Sequence, residues 1–211
     1  MVIRKKAMVI HKGEPWGTTV PRPDGLMVVG SDHELATWLA GGRGVPVAVS
    51  AGDVHRTLGA PTDASAGTTP EVRRVEMDAL RCELDGIELV AVAHVVARRG
   101  GPTGWWHGPI HSVCNTQFIG RWDVAPRGHP NDARAEVLEV HADMPARQRL
   151  EAWRRLPTAR HVPHPSIRST HGSSAGWEFE RPLDVYVDGR RHRRVRSLRV
   201  TVEPDAYELH L

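Results

Sequence analysis

The sequence predicts an α+β chain that is mostly β: a β-sandwich over residues 71–211, preceded by a small α/β segment over residues 1–60 and packed with it as one unit. Three observations carry this. Asp85-Gly86 and Asp188-Gly189 each stand between apolar or alternating runs, the pattern of a two-residue hairpin turn. The first sixty residues instead alternate short apolar runs with stretches of helical spacing. After residue 71 only Pro145 to Leu156 repeats at helical intervals, with Leu150, Trp153 and Leu156 on one face.

Taken in order, residues 1–25 are broken by Gly13, Pro15, Gly17, Pro21, Pro23 and Gly25 and read as an irregular, strand-forming arm. Leu26 to Val29 is a compact apolar run, expected as a buried strand. Ser31 and Asp32 offer an N-cap to a helix carrying Leu35, Trp38 and Leu39, which Gly41-Gly42 ends. Val45 to Val49 reads as a second buried strand. Gly52-Asp53 opens a short helix that stops at Gly59. Residues 60–70, rich in Thr, Pro, Ala and Gly, form a linker. Strands are then expected over Val72–Met77, Leu80–Leu84, Ile87–Val96 and Ile110–Phe118. The stretch Gly120 to Val140 reads as strand, polar loop and strand, its last part alternating Ala135, Val137 and Val140 with Glu136 and Glu139. His161–Ser169 and Trp177–Phe179 are extended, and Val185–Val187 with Val195–Val202 make the second hairpin.

Composition narrows the function. The 211 residues include 40% hydrophobic side chains, enough for a core, and seven Trp against two Phe and two Tyr. The net charge of +3 permits attraction to phosphates or an anionic membrane surface without demanding it. Cys82 and Cys114 form no CxxC pair and no disulfide framework, so a reducing cytoplasm is expected, with peripheral membrane contact open. No signal peptide is read at the basic N-terminus, and no apolar run approaches the ~20 residues of a membrane helix.

Several residues invite chemistry, each beside an ordinary structural reading. Gly52-Asp53 could present backbone amides to a phosphate, although an Asp before a helix is more often a cap. No P-loop or dinucleotide motif accompanies it. His161, His164 and His171 match no zinc spacing. Cys114 beside Asn115 reads as a buried thiol rather than a nucleophile. Trp105-Trp106 reads as core packing, with an interfacial anchor as the other option. The densest positive run, Arg190 to Arg194 with Arg196 and Arg199, follows the second Asp-Gly turn. It is either a grip for anionic groups or a solvated edge that resists aggregation. Nucleic acid is the less favoured partner, because no aromatic side chains interleave the run as single-strand stacking needs.

Four segments in register resemble one family. Val124-Ala125-Pro126 through Asn131-Asp132 to Val137-Leu138 is similar to the Ala-Pro, Asp-Asp-Gly, Leu-Asp-Val signature of bacterial diacylglycerol and lipid kinases of the YegS-like type, relatives of sphingosine kinases and more distantly of NAD kinases. His161-Val162-Pro163-His164-Pro165-Ser166-Ile167 resembles that family's His-Val, His-Pro-Gly-Val segment. Val185 to Arg190 resembles its Val-Asp-Gly-Glu turn, and Val47 to Gly59 its Gly-Thr-Gly-Asn-Asp segment. The resemblance covers roughly residues 45–211.

It implies a NAD kinase/diacylglycerol kinase-like C-terminal β-sandwich beside a remnant of the α/β nucleotide domain, with an active-site cleft between the two. The Gly-Gly-Asp-Gly-Thr loop that binds ATP in the family has no counterpart here. The resemblance leaves Asp53 as the retained nucleotide-side residue. It implies Mg²⁺ at Asp132 with the backbone carbonyls of His129 and Arg134. It places the family's general base at position 190, where this chain has Arg190. A guanidinium stays protonated and cannot take a proton from a lipid hydroxyl. The expectation is therefore a stand-alone, catalytically degenerate relative with no catalytic residue of its own. It would bind a lipid, an anionic membrane surface or a partner, with Arg190, Arg191, Arg193 and Arg194 facing the anion. Two alternatives stay open: an ATP-dependent lipid kinase completed by a partner chain (a protein supplying the kinase domain, or a homodimer), and anion or nucleic-acid binding along Arg190–Arg199.

Overall fold

The computed structural model of the chain describes residues 16–42, 44–59 and 69–211. Its α/β part holds β2 (Met27–Val29), α1 (Asp32–Ala40), β3 (Val47–Val49) and α2 (Asp53–Leu58), after a short β1 (Thr18–Pro21). The remainder comprises β4 (Glu71–Leu84), β5 (Ile87–Ala91), β6 (His94–Arg98), β7 (Ile110–Cys114), β8 (Phe118–Ile119), β9 (Trp122–Asp123), β10 (Ala135–Val140), α3 (Ala146–Arg155), β11 (Ile167–Gly172), β12 (Ser174–Val187) and β13 (Arg190–His210). The fold is mostly β, as the sequence predicts.

One large sheet runs β1-β4-β13-β12-β6-β7-β10-β11, antiparallel throughout, with β5 on β4. β2 and β3 are parallel and join this sheet through β3 against the end of β13. Both Asp-Gly pairs form the expected turns: Asp85 and Gly86 have φ of 49° and 81°, Asp188 and Gly189 46° and 79°. Two consecutive left-handed residues match the twist of the strands they connect. The sheet curls so that β4 meets the loops after β7 and before β10. Asp78 of β4 donates its amide to Pro130 O at 2.7 Å, and Asn115 Nδ2 donates to Asp78 O at 2.9 Å.

Three clusters fill the interior. The first lies inside the curl, with Leu80, Leu84, Val95, Val113, Val137, Val185 and Val200. The second joins the α/β part to the sheet, packing Leu35, Leu39, Val47 and Val54 against Val75, Met77, Tyr207 and Leu209. The third lies on the outer face of β7 and β10, with Cys114, Ala125, Leu138, Met144 and Ile167.

Some elements differ from expectation. The separate runs Val72–Met77 and Leu80–Leu84 are one strand, because the bulge on β13 between Glu203 and Tyr207 absorbs the break. β2 is not a buried strand: Met27 and Val28 are 37% and 52% exposed, since β2 pairs only with β3 among the described residues. In α3 the fully buried side chain is Arg149, not Leu150, and Trp153 is partly exposed. The expectations for residues 1–15 and for most of the linker lie outside the described residues.

Candidate functional site

β2 and β3 are parallel, so α1 and α2 begin at the same end of the sheet. Ser31 caps α1 as expected, its Oγ accepting Glu34 N at 3.2 Å. Asp32 reaches across instead. Its Oδ2 accepts Asp53 N at 2.6 Å and its Oδ1 accepts Val54 N at 3.0 Å. Position 52 must be glycine here: φ is 109°, and a Cβ would lie 2.5 Å from Asp32 Oδ1. The first amides of α2, which a phosphate would need, therefore already serve an internal carboxylate.

Asp53 turns away from the helix start. Its Oδ1 accepts Gly120 N at 2.7 Å, and its Oδ2 lies 3.4 Å from His94 Nδ1. Arg56 completes the clasp on the β8–β9 turn, donating to Gly120 O at 2.7 Å and lying over the Phe118 ring. Burial, and then the Asp32 charge, push the Asp53 carboxyl up to about 6. Burial drives His94 down to about 4, so it is neutral at pH 7.

This gives a pH prediction. The folded value of His94 lies below the ordinary ~6.5, so its contribution to stability is complete above that value and is lost as the pH falls to about 4. The raised carboxyls act in the opposite sense but are present in both proteins being compared. The stability advantage of the parent over His94→Gln should shrink by up to about 3 kcal/mol between pH 7 and pH 4, measured by urea unfolding at each pH.

The neighbouring turn is organised by Asp188. Its carboxylate accepts the amides of Val92, Ala93 and His94 at 3.0, 2.9 and 3.0 Å. Burial pushes this carboxyl up to about 7 against the pull of those donors. Asn115 bridges to the next knot, donating to Val92 O and Asp78 O. There Asp78 accepts Asp205 N at 3.0 Å and Ala133 N at 2.8 Å, and burial raises it to about 7.

Asp132 borders this second knot. Its Oδ1 accepts Arg134 N at 2.9 Å within its own loop, and its Oδ2 lies 3.5 Å from His171 Nε2. The magnesium ion implied by the resemblance does not fit this donor set. A hard cation needs about six oxygens. Here one carboxylate is turned to an amide and an imidazole, while both oxygens of the nearby Asp78 are taken by amides. Among the described residues no three His, Cys, Asp or Glu side chains gather to hold a metal.

The structure thus brings Asp53 close to the turn that carries Arg190, through His94 and Asp188, and leaves Asp132 on the far side of Asn115. Arg190 is exposed at the start of β13. Arg191 and Arg194 both donate to the buried Asp184, at 2.9 and 2.8 Å, and hold that carboxyl below the usual range. Arg196 donates to Glu180 O, Arg199 lies 3.9 Å from Glu83, and Arg193 is half-buried.

A second feature lies beyond the β8–β9 turn. The outer faces of β7 and β10 present Ile110, Ser112, Leu138 and Val140, and α3 with the Pro102–Trp105 turn packs above them. Between the two is an apolar cavity of about 180 Å³. Trp105, Trp106, Trp122 and Trp153, four of the seven tryptophans, line it. Its roof is held by Arg149, buried and donating to four carbonyls: Met144, Trp105, Gly108 and His141. At its wall His161 Nε2 donates to Val124 O at 3.0 Å, and burial lowers this imidazole below its ordinary value. An engineered apolar cavity of ~150 Å³ stays dry and takes up benzene. This one has room for a ring or the end of one acyl chain.

Sequence reasoning read the tryptophan pair as core and did not find the cavity. The signal was the concentration of Trp in a chain otherwise poor in aromatics. It also missed Asp32 and Asp188 as carboxylate anchors, reading the first as part of a cap and the second as a turn residue.

Comparison with solved structures places this architecture. Two proteins named "putative diacylglycerol kinase from Bacillus anthracis str. Sterne" superpose with TM-scores of 0.67 and 0.65 at 12% and 13% identity, over 87% of this chain and 77% of theirs. The fold is diacylglycerol-kinase-like. A third structure, a diacylglycerol kinase from the same organism, superposes at 0.61 with 14% identity over 87% and 75% of the two chains. No protein-family model matches the sequence, and no curated protein matches it. At such low identity the likeness establishes the diacylglycerol-kinase-like fold alone. Among the described residues no helix is long and apolar enough to cross a membrane.

Proposed function

We propose that this chain is a catalytically degenerate relative of the lipid kinases that binds an acyl-chain lipid in the tryptophan-lined cavity. The cavity between α3 and the outer face of β7 and β10 carries the reading: it is apolar, of ligand size, and built by four tryptophans. Phosphoryl transfer needs nucleotide phosphates held by donors and metal, and a group to position the acceptor hydroxyl. Three observations argue against it in this chain. Asp32 takes the amides at the start of α2. Both oxygens of Asp78, beside Asp132, are taken by amides, and among the described residues no three ligating side chains gather there. Arg190 stands where the resemblance puts a base.

The test pairs turnover with binding. Purified protein is incubated with ATP, Mg²⁺ and a short-chain diacylglycerol, and uptake of a fluorescent diacylglycerol is followed in parallel. The expected result is uptake without phosphatidic acid. Ala152→Phe, which fills the cavity from α3, should abolish uptake while leaving the fold intact by circular dichroism. Phosphatidic acid formation would overturn the degenerate reading, and uptake unchanged in Ala152→Phe would overturn the cavity.

A second reading, a lipid kinase completed by another chain, is favoured by one observation: among the described residues β2 pairs only with β3, which leaves its other edge open to a further strand. Turnover appearing only on addition of a second chain that supplies a nucleotide domain would establish it.

A further inference from the structure

We propose that the exposed face of α3, with the tryptophans at the cavity rim, docks on an anionic lipid bilayer. This rests on the reading of the cavity as a lipid site and adds the surface from which the lipid is taken. α3 reads ARQRLEAWRR, four arginines against one glutamate. Arg149 is spent inside, but Arg147, Arg154 and Arg155 are exposed, and Arg121 and Arg160 stand exposed on the neighbouring loops. The acidic groups on this face, Glu151 and Asp143, are fewer; the Arg147–Glu151 pair is 3.5 Å apart with Arg147 90% exposed, a contact that leaves the cation accessible.

Trp105 and Trp153 line the cavity and are also 40% and 38% exposed. The Trp106 and Trp153 ring centroids are 6.3 Å apart, and Arg121 lies 5.9 Å from the Trp153 ring. Half-exposed tryptophan on a face that also presents exposed arginines is the composition that settles at the headgroup level. The indole sits in the interface while guanidinium groups meet lipid phosphates. The position matters as much as the charge, since the same two tryptophans border both the surface and the cavity. A lipid leaving the bilayer there meets apolar wall without crossing water. The arginine strip after the Asp188-Gly189 turn is the weaker candidate, because Arg191 and Arg194 are committed to Asp184.

The test is co-sedimentation with vesicles of phosphatidylcholine, with and without phosphatidylglycerol. The parent should bind the anionic vesicles, lose them in high salt, and bind neutral ones weakly. Arg147→Glu/Arg154→Glu, which alters exposed positions outside the cavity, should weaken vesicle binding by about tenfold or more while fluorescent diacylglycerol uptake is retained. Arg190→Glu/Arg193→Glu should bind like the parent. The reverse pattern, loss in the turn variant and none in the α3 variant, would overturn the proposal. So would equal binding to neutral vesicles, or a parent that self-associates through α3 and dissociates in the Arg147→Glu/Arg154→Glu variant. Failure of uptake with vesicle binding intact would instead strike the cavity reading, so the two fail separately.

Discussion

Asp188→Ala should lower stability by about 3–5 kcal/mol. The residue is buried, and its carboxylate accepts three amides, those of Val92, Ala93 and His94. A buried donor left without an acceptor costs about 1–3 kcal/mol. Position 188 is also left-handed, φ 46°, a conformation that Asp and Asn tolerate better than Ala. Relief from burying a carboxylate offsets part of this. For a chain of this size the loss corresponds to roughly 10 °C in melting temperature. Asp188→Asn keeps one acceptor oxygen and the turn preference, so it should cost clearly less. Differential scanning calorimetry of the two variants checks the order. Equal losses would mean that side-chain volume and one retained oxygen do not hold the turn, and that it needs both carboxylate oxygens.

The second large effect is expected at Arg149. Its guanidinium joins α3 to the Pro102–Trp105 turn, to Gly108 and to the end of β10, through carbonyls alone. Arg149→Met keeps much of the stem volume but leaves four carbonyls without their charged donor. A buried acceptor left without its donor costs about 1–3 kcal/mol, so the loss over four carbonyls, eased by local rearrangement, should be about 3–5 kcal/mol. The damage should be local: amide exchange should accelerate in α3 and in residues 102–108 well before the core of β4 and β13, and diacylglycerol uptake should fall with it. Uniform acceleration across the chain would show that α3 is not a separable roof.

The two Asp-Gly turns, α1 with its Ser31 cap and the mostly β class were legible because each rests on local chemistry. Two left-handed residues or a capping hydroxyl act within four positions of the chain. What was not legible depends on partners far along it. β10 shows the difference. Its alternation placed Glu136 on a polar face, yet Glu136 is fully buried, accepting Arg127 N at 3.0 Å and Ser169 Oγ at 2.7 Å. Both faces of β10 are covered, one by the curled sheet and the other by α3 and the loop around Ala125, and a period of two cannot announce a second cover. Leu150 was expected to face the core because it is apolar. Arg149 took that place because four carbonyls of other elements converge there, which no spacing within the helix encodes. The same limit hid the site. Asp32 and Asp53 lie 21 positions apart and Asp188 and Val92 96 apart, and only the fold brings each pair together.

The most direct measurement of the central claim uses the four tryptophans of the cavity as reporters. A short-chain diacylglycerol brominated on its acyl chains is titrated into the protein below the lipid's own aggregation concentration, and tryptophan emission is followed. Binding in the cavity predicts saturable quenching with a stoichiometry of one lipid per chain, lost in Ala152→Phe. Quenching that never saturates, or that persists in Ala152→Phe, would contradict it.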